Sequence, residues 1–540
     1  VAALVFAIGE IPYLAARAAS PPEHRFGGVL QWVDDLNMYF SFIRQAADGR
    51  FLFANRLTHL PHDPAFFNPE FLAVGLLMRF TGASDTTAFA IWRAAGILAL
   101  VLGFTALLWA TRTPHAQRSL ALLLFLLGGG LGWLALVLGL EGPRLDLDSG
   151  FQPFAQMLLN PHFSLPHGLV LLFLASWCRG EQEGRTAWYA AASLVALLEG
   201  LIRPYDLLTL WIALPAAVLM TPDARRTPRS TLPRALPLLA TLPALAYFVL
   251  LFRTHPAFRH WASQAGAPPP SFAAHAASLG LMGLVGLWRL ARWRSHPLGA
   301  HERPLLAWLV AVFAVVHSTR LVPWLPFSPQ AGTSGMAPVV LLALPALPSL
   351  PWSSLGAARW ALAGLLAANC LSSAVILQAR TKVASTHFNY YHLRTAELDA
   401  FAWLARNARA SDVILANYKD GNRLGRFVSS RVVLGHYSVT PASASIQAGV
   451  EAFLAGALDD DGARRMLADW NVRWVYYSPR AYPSPVLHRV PWCARRYRER
   501  GIAIYECEAS QESPKAGATR EGGLPAAPEP KRYTRTVPSP

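Results

Sequence analysis

Residues 87–111 read TAFAIWRAAGILALVLGFTALLWAT, a run of 25 positions in which Arg93 is the one charged side chain. As a helix the run would rise about 37 Å, more than the roughly 30 Å hydrocarbon thickness of a bilayer. Similar apolar blocks recur at 1–19, 119–140, 162–178, 186–202, 205–220, 235–252, 273–291, 304–320, 334–350 and 357–378, with a shorter one at 69–81. The chain therefore reads as an α-helical polytopic membrane protein. Of its 540 residues 53% are hydrophobic and 15% charged, and the gathering of apolar residues into blocks says more than the mean hydropathy of +0.29.

The formal net charge is +16. Most arginines before residue 360 lie in short loops between apolar blocks, where the positive-inside rule and anionic lipid account for them without a nucleic-acid partner. Two loops are strongly basic: 221–234, with Arg225, Arg226, Arg229 and Arg234, and 289–303, with Arg289, Arg292, Arg294 and Arg303. If 69–81 crossed the membrane, both would fall outside. Read instead as a re-entrant or surface-lying helix starting at Pro69, it leaves about eleven transmembrane helices, an inside N-terminus and an outside C-terminus. Loops 20–86, 141–161, 199–206, 253–272 and 321–333 then share the outer face. Val1 already lies inside an apolar stretch, so residues preceding it are expected.

From about residue 379 charged residues increase, and Val413–Ala416, Arg431–Leu434 and Val472–Tyr477 read as strands among helices such as Ala396–Asn407. This divides the chain into a transmembrane domain at 1–378, whose first outer loop is 20–86, a small soluble α/β domain at 379–508, and a tail at 509–540. The tail is rich in Pro, Gly, Ala and charge and reads as disordered. The four cysteines form no metal pattern. Cys178 and Cys370 fall in apolar blocks as small buried hydrophobes. Cys493 and Cys507 fall in the soluble part and, outside the cytoplasm, are expected to form a disulfide.

The first outer loop carries adjacent carboxylates in Trp32-Val33-Asp34-Asp35-Leu36-Asn37-Met38-Tyr39-Phe40. Trp32, Leu36, Phe40 and Ile43 recur at helical spacing, as in an amphipathic helix lying on the bilayer surface. Asp34 or Asp35 can be its N-cap, or a general base that takes a proton from an acceptor hydroxyl while a sugar phosphate departs. His162 and His167, in Asn160-Pro161-His162-Phe163-Ser164-Leu165-Pro166-His167, stand at a membrane rim, where they can bond a sugar or phosphate or cap the headgroup zone. His62 and Asp63 have the same standing. Arg203 and Arg320, and less clearly Arg93, sit at outer span ends, against the charge asymmetry. A guanidinium there suits a lipid phosphate, with pairing to Glu199 or Asp206 the other reading of Arg203. His436 reads as a structural residue or one facing an acceptor. No zinc motif, Gly-rich phosphate loop or nucleophile elbow is present, which argues against a cytoplasmic nucleotide-sugar enzyme or a serine hydrolase.

Asp34-Asp35-Leu36-Asn37-Met38-Tyr39, followed by Ala46-Ala47-Asp48-Gly49 and the Pro64–Pro69 segment, resembles the first outer loop of the GT-C superfamily of membrane glycosyltransferases. That superfamily includes protein mannosyltransferases, aminoarabinose transferases and oligosaccharyltransferase catalytic subunits. The resemblance implies a GT-C-like membrane domain over roughly 1–380 and a soluble domain outside. It matches the family's first acidic residue to Asp34, with Asp35 in support, and by position matches Arg320 to a basic residue of the late outer loop. In the oligosaccharyltransferases the second outer loop carries a paired-acid metal motif. Asp146 and Asp148 have that spacing here, so a divalent metal is a weak possibility beside a solvated loop, and no cofactor is otherwise implied. Their "WWD" motif is absent, which argues against peptide asparagine as acceptor.

The expected activity is transfer of a sugar from a polyprenyl-phosphate donor to a hydroxyl of a glycan, lipid or protein at the outer face of a bacterial inner membrane, with inversion. The rival is a non-enzymatic transporter or scaffold for lipid-linked glycans, although the candidate polar residues cluster at one rim rather than deep in several spans. The arginine asymmetry predicts that a topology reporter fused after residue 228 is cytoplasmic and one fused near residue 400 is outside. Both reporting from one side would refute the eleven-span arrangement.

Overall fold

The computed structural model describes residues 1–142, 144–221, 228–264, 268–322, 328–349, 355–479 and 492–507. The tail at 509–540 and Arg225 and Arg226 of the first basic loop lie outside them. The apolar blocks become helices: α1 is Ala2–Ala18, and the block at 87–111 becomes Asp85–Ala110. Between these come α2, Val33–Ala47, and α3, Pro69–Thr81, so the span beginning at Asp85 is α4. At 13 residues α3 rises about 20 Å, too little to cross a bilayer. Asn68 caps it by accepting from the N–H groups of Glu70 and Phe71. It lies so close to α2 that a Cβ on Gly75 would stand 2.3 Å from the Cβ of Ala46 and 2.5 Å from the Ile43 carbonyl oxygen.

Three described helices are long and apolar enough to cross a membrane: Asp85–Ala110, Thr231–Thr254 and Ala363–Thr386. A fourth crossing arises if Phe272–Ser278 and Gly280–Ala291, bent by 98°, count as one. The remaining expected spans are shorter, broken or, as in Pro161–Glu183, long enough but less apolar, so these helices alone do not yield eleven. The block at 119–140, for example, becomes helices His115–Leu126 and Gly132–Val137 separated at Gly128, Gly129 and Gly130. Asp146 holds that break open: its carboxylate accepts from the N–H groups of Gly130 and Gly132, each at 3.0 Å, and from the Ser372 hydroxyl at 2.5 Å. A helix interruption inside a bundle needs such donors and acceptors, because no water reaches the freed amides.

Helix α2 departs from the expectation of an exposed amphipathic helix. Leu36, Asn37, Met38, Phe40, Ser41, Phe42 and Ile43 are all buried, since the C-terminal domain roofs the face that would have met water. Nor is either aspartate the N-cap. That position is Trp32, in the left-handed region at φ 47°, and Asp34 and Asp35 fall in the first turn, where the helix dipole favours negative charge.

The last membrane helix, Leu355–Thr386, packs on α1, and the chain then enters the C-terminal domain. Strand β1, His24–Phe26, pairs antiparallel with β2, His392–Arg394, so the first outer loop and the domain entrance share backbone hydrogen bonds. The domain is a five-stranded sheet of β3, Val413–Leu415, β4, Arg431–Val432, β5, Val472–Tyr477, β6, Cys493–Glu499, and β7, Ile502–Cys507. Its order is β4-β3-β5-β7-β6, parallel through β5 and antiparallel beyond. Three of these strands are those expected from sequence. Helices Thr395–Asn407, Tyr418–Phe427, Ser443–Ala455 and Asp460–Asp469 accompany the sheet. Cys493 and Cys507 face each other across the β6–β7 hairpin with Cα atoms 4.0 Å apart and are disulfide-bonded.

Denatured without reductant, the protein should present two reactive thiols, Cys178 and Cys370, and four after reduction. Cys493→Ser should cost the C-terminal domain roughly 2–4 kcal/mol, the usual contribution of such a loop closure, measured by denaturant titration.

Candidate functional site

The carboxylate pair occupies the seam between α2 and the C-terminal domain. Val413–Leu415 is a buried strand, and its carboxyl end leads through Asn417, the N-cap, into helix Tyr418–Phe427. The Tyr418 hydroxyl donates to Oδ2 of Asp34 at 2.9 Å. One turn on, Nδ2 of Asn422 donates to the Asp34 carbonyl at 3.0 Å and to that of Gly435 at 2.8 Å, while its Oδ1 accepts from Asn37 at 2.8 Å. From the end of β4, Nε2 of His436 reaches Oδ1 of Asp35 at 2.9 Å. The backbone N–H of Ser438 donates to Nδ1 of the same ring at 3.2 Å. Nδ1 is thus an acceptor, and the ring proton sits on Nε2, aimed at Asp35. Between the alternatives left open for His436, the structure gives it a carboxylate partner in the first loop.

Burial pushes the Asp34 carboxyl above the usual carboxylate range, while the Tyr418 hydrogen bond pulls it part of the way back. Burial and then the charge of Asp34 push the Tyr418 phenol up, so it remains a donor. A half-buried carboxylate of raised proton affinity is a stronger proton acceptor than an exposed one.

Tyr39, one turn along α2 from Asp35, ties the pair to the membrane helices. Its phenol lies within electrostatic range of Asp35, Tyr205, Arg203 and Glu70, although burial is what chiefly raises its pKa. Arg203 is fully buried, its guanidinium over the rings of Phe163 and Tyr205, each 4.7 Å away. Phe163 packs in turn on Trp32, with ring centroids 5.6 Å apart. Arg203 meets Asp206 at 3.3 Å and donates to the Thr333 hydroxyl at 3.1 Å, so the local pairing considered from sequence is present. His162 is bonded through Nδ1 to Glu70 and stacks near Tyr39, centroids 4.9 Å apart. Glu70 also accepts from the Trp92 indole at 2.7 Å. Asp34, Asp35, Tyr39, Glu70, His162 and Arg203 therefore form one polar neighbourhood under the C-terminal domain.

Among the other candidates His167 connects to Arg203 through Gln156 and Thr333, whereas the rest lie apart from that neighbourhood. His167 is wholly buried and bonded to Gln156 at 2.8 Å. Arg93 pairs with Glu10 and lies 3.8 Å over the Tyr13 ring, an α1–α4 contact. Arg320 is exposed; it donates to the Pro270 carbonyl at 2.6 Å and covers Phe272. His62 accepts from the Asn55 N–H at 3.0 Å and bonds the Leu60 carbonyl at 2.7 Å, both within its own loop, and burial lowers its pKa. Asp63 is exposed, and its backbone carbonyl meets His255. Asp146 is committed to the two glycine amides and Ser372, and Asp148 accepts from the Gly150 N–H at 2.9 Å. Among the described residues no group of three or more His, Cys, Asp or Glu side chains could hold a metal ion.

Glu70, Tyr418 and Asn422 had gone unread in the sequence. Tyr418 and Asn422 follow the carboxyl end of a parallel strand, where α/β sheets place functional groups, and this was the available signal. Glu70 had only its place in the first turn after a Pro-started helix.

No protein-family model matches the chain, and no curated protein matches it. Solved structures do resemble it. ArnT from Cupriavidus metallidurans, bound to undecaprenyl phosphate, aligns over 95% of this chain and 99% of its own, with TM-score 0.53 and 14% identity. The oligosaccharyltransferase of Archaeoglobus fulgidus in its apo form aligns over 88% of this chain and 69% of its own, with TM-score 0.51 and 13% identity. The same enzyme tethered to an acceptor peptide with the NVT sequon covers 94% and 74%, with TM-score 0.50 and 12% identity. Such low identity speaks for architecture alone: the chain shares the overall fold of these two membrane enzymes.

Proposed function

We propose that this protein transfers a sugar from a polyprenyl-phosphate donor to an acceptor hydroxyl at the extracytoplasmic face of a bacterial inner membrane. The observation that carries the reading is the Asp34–Asp35 pair, half-buried beneath the C-terminal domain in a GT-C fold, with Tyr39 of the same helix within electrostatic range of both Asp35 and the buried Arg203. An arrangement of about eleven spans with the C-terminal domain outside puts this neighbourhood at the outer rim, where a lipid-linked donor can enter sideways from the bilayer.

In the proposed reaction Asp34 takes the proton of the acceptor hydroxyl as its oxygen forms a bond to the anomeric carbon. The bond from that carbon to the phosphate oxygen breaks, and polyprenyl phosphate leaves with the electron pair. One base and direct displacement give inversion at the anomeric carbon. Asp35 supports the base, and Arg203, with Arg320 the alternative, would meet the departing phosphate. His162 would contact the donor beside Tyr39. No step is routed through a metal. The acceptor, whether glycan, lipid or protein, is not fixed by this reading.

Asp34→Asn keeps the size of the side chain and can still accept the Tyr418 hydrogen bond, but it is not a base. The variant should fold and bind donor as wild type does, yet transfer sugar on the order of a hundredfold or more slowly from a donor that supports wild-type turnover. Near-wild-type transfer would refute the assignment. No turnover with any lipid-linked sugar would favour the transporter or scaffold reading.

A base works when ionised, so kcat/KM should fall as pH drops through the Asp34 pKa. Because burial raises that value, the acid limb should lie above the roughly 3.9 of an unperturbed aspartate. A limb at or below it would contradict a buried base.

A further inference from the structure

Two adjacent carboxylates near one reaction centre need a division of labour, because both ionised side by side repel and both protonated supply no base. Their partners differ in kind. Asp35 receives a proton donor whose direction is fixed: the Ser438 N–H and the Ser438 hydroxyl, at 3.0 Å, both occupy Nδ1 of His436, leaving Nε2 to face Asp35. That ring is itself buried and stacked on Tyr437, with centroids 4.6 Å apart. Asp34 receives one phenol.

We propose that His436 and Tyr418 are positioning residues supplied by the C-terminal domain, with His436 holding Asp35 as the standing anion and Tyr418 holding Asp34 as the group that exchanges the proton. This rests on the proposed transferase reading for its chemistry, but not for its geometry. His436 and Tyr418 come from the carboxyl ends of neighbouring parallel strands, β4 and β3, so the C-terminal domain is part of the reacting unit. The groups facing Asp34 come from every element around it: Tyr418 and Arg423 from helix Tyr418–Phe427, His436 from the segment after β4, Tyr390 from the short helix Phe388–Tyr391, and Asp35 from α2 itself. Among the described residues, the hydrogen bond to the Asp34 carboxylate comes from Tyr418. Replacing its hydroxyl therefore changes the partner of one carboxylate and leaves the Asp35–His436 contact intact.

The experiment is an infrared difference titration of the purified full-length protein, which follows the protonated carboxyl stretch and requires no turnover. The Asp34 band is the one absent from Asp34→Asn, and the Asp35 band the one absent from Asp35→Asn. Tyr418→Phe removes a bond to the charged form of Asp34 and should move that midpoint up by about one pH unit, with the Asp35 midpoint unmoved. His436→Phe should raise the Asp35 midpoint by a similar amount, and His436→Gln, whose amide can replace the Nε2 donor, should restore it. Unmoved midpoints in Tyr418→Phe and His436→Phe, or a Tyr418→Phe shift that appears on Asp35 instead, would overturn the proposal. If the midpoints move as expected while no lipid-linked sugar supports turnover, the positioning assignment stands and the transferase reading falls. If turnover is present, the acid limb of kcat/KM should follow the Asp34 midpoint upward in Tyr418→Phe.

Discussion

The seam between α2 and helix Tyr418–Phe427 is a polar contact whose centre, at Asn37 and Asn422, is buried, and one carboxamide holds it. Asn422 reaches Asn37, the Asp34 carbonyl and the Gly435 carbonyl, so that both ends of the side chain are used. A net hydrogen bond is worth only about 1 kcal/mol, but a buried polar group left without its partner costs roughly 1–3 kcal/mol. That asymmetry makes the seam specific: slipping the domain by one residue would orphan several groups at once. The surrounding packing leaves no slack, since a Cβ on Gly421 would come within 2.0 Å of the Leu434 carbonyl oxygen and one on Gly425 within 2.3 Å of Leu57. Backbone pairing secures the edges, through β1 with β2, the Thr58–Leu434 bridge and the Val432 N–H to the Arg56 carbonyl. Arg426 adds an ion pair to Asp85 at 2.6 Å, just where α4 begins.

Below the seam, charge is matched group by group rather than exposed. Arg203 has Asp206, Glu70 has His162, and Arg93 has Glu10. In a medium that solvates charge poorly, removing one member of such a pair typically costs about 3–5 kcal/mol. These pairs keep ionisable groups in an apolar bundle, and they bring Arg203 close to the carboxylate-bearing helix without giving it a free guanidinium. A phosphate arriving there would compete with Asp206 for it.

How much of this could be read beforehand depended on whether the deciding contact was local. The apolar helices could, because apolar blocks need no partner to be recognised, and α3 begins at Pro69 and ends at Thr81 as its block predicted, although only three or four of the described helices are long and apolar enough to cross a membrane. Strands Val413–Leu415 and Val472–Tyr477 announced themselves by β-branched and aromatic runs. Asp34 and Asp35 stood out as charges in an apolar setting. What could not be seen was their company, because Tyr418 and His436 lie some 384 and 401 positions away. The helix pattern of Trp32, Leu36, Phe40 and Ile43 predicted one buried face; the second was buried by a domain whose docking no periodicity records. The spacing of Asp146 to Asp148 was local information, whereas the hydrogen bonds of Asp146 to the Gly130 amide and the Ser372 hydroxyl were not.

The pairing of β1 with β2 joins residues 24–26 to residues 392–394. During synthesis the first loop emerges long before its partner strand exists, and the two can meet only after every intervening membrane helix has been threaded. Contacts so distant along a chain form late, because the loop they close must be ordered first. The acidic pair therefore stays without its roof until the C-terminal domain has been made and has docked, so Asp34 and Asp35 meet Tyr418 and His436 only once chain some four hundred residues further on is in place.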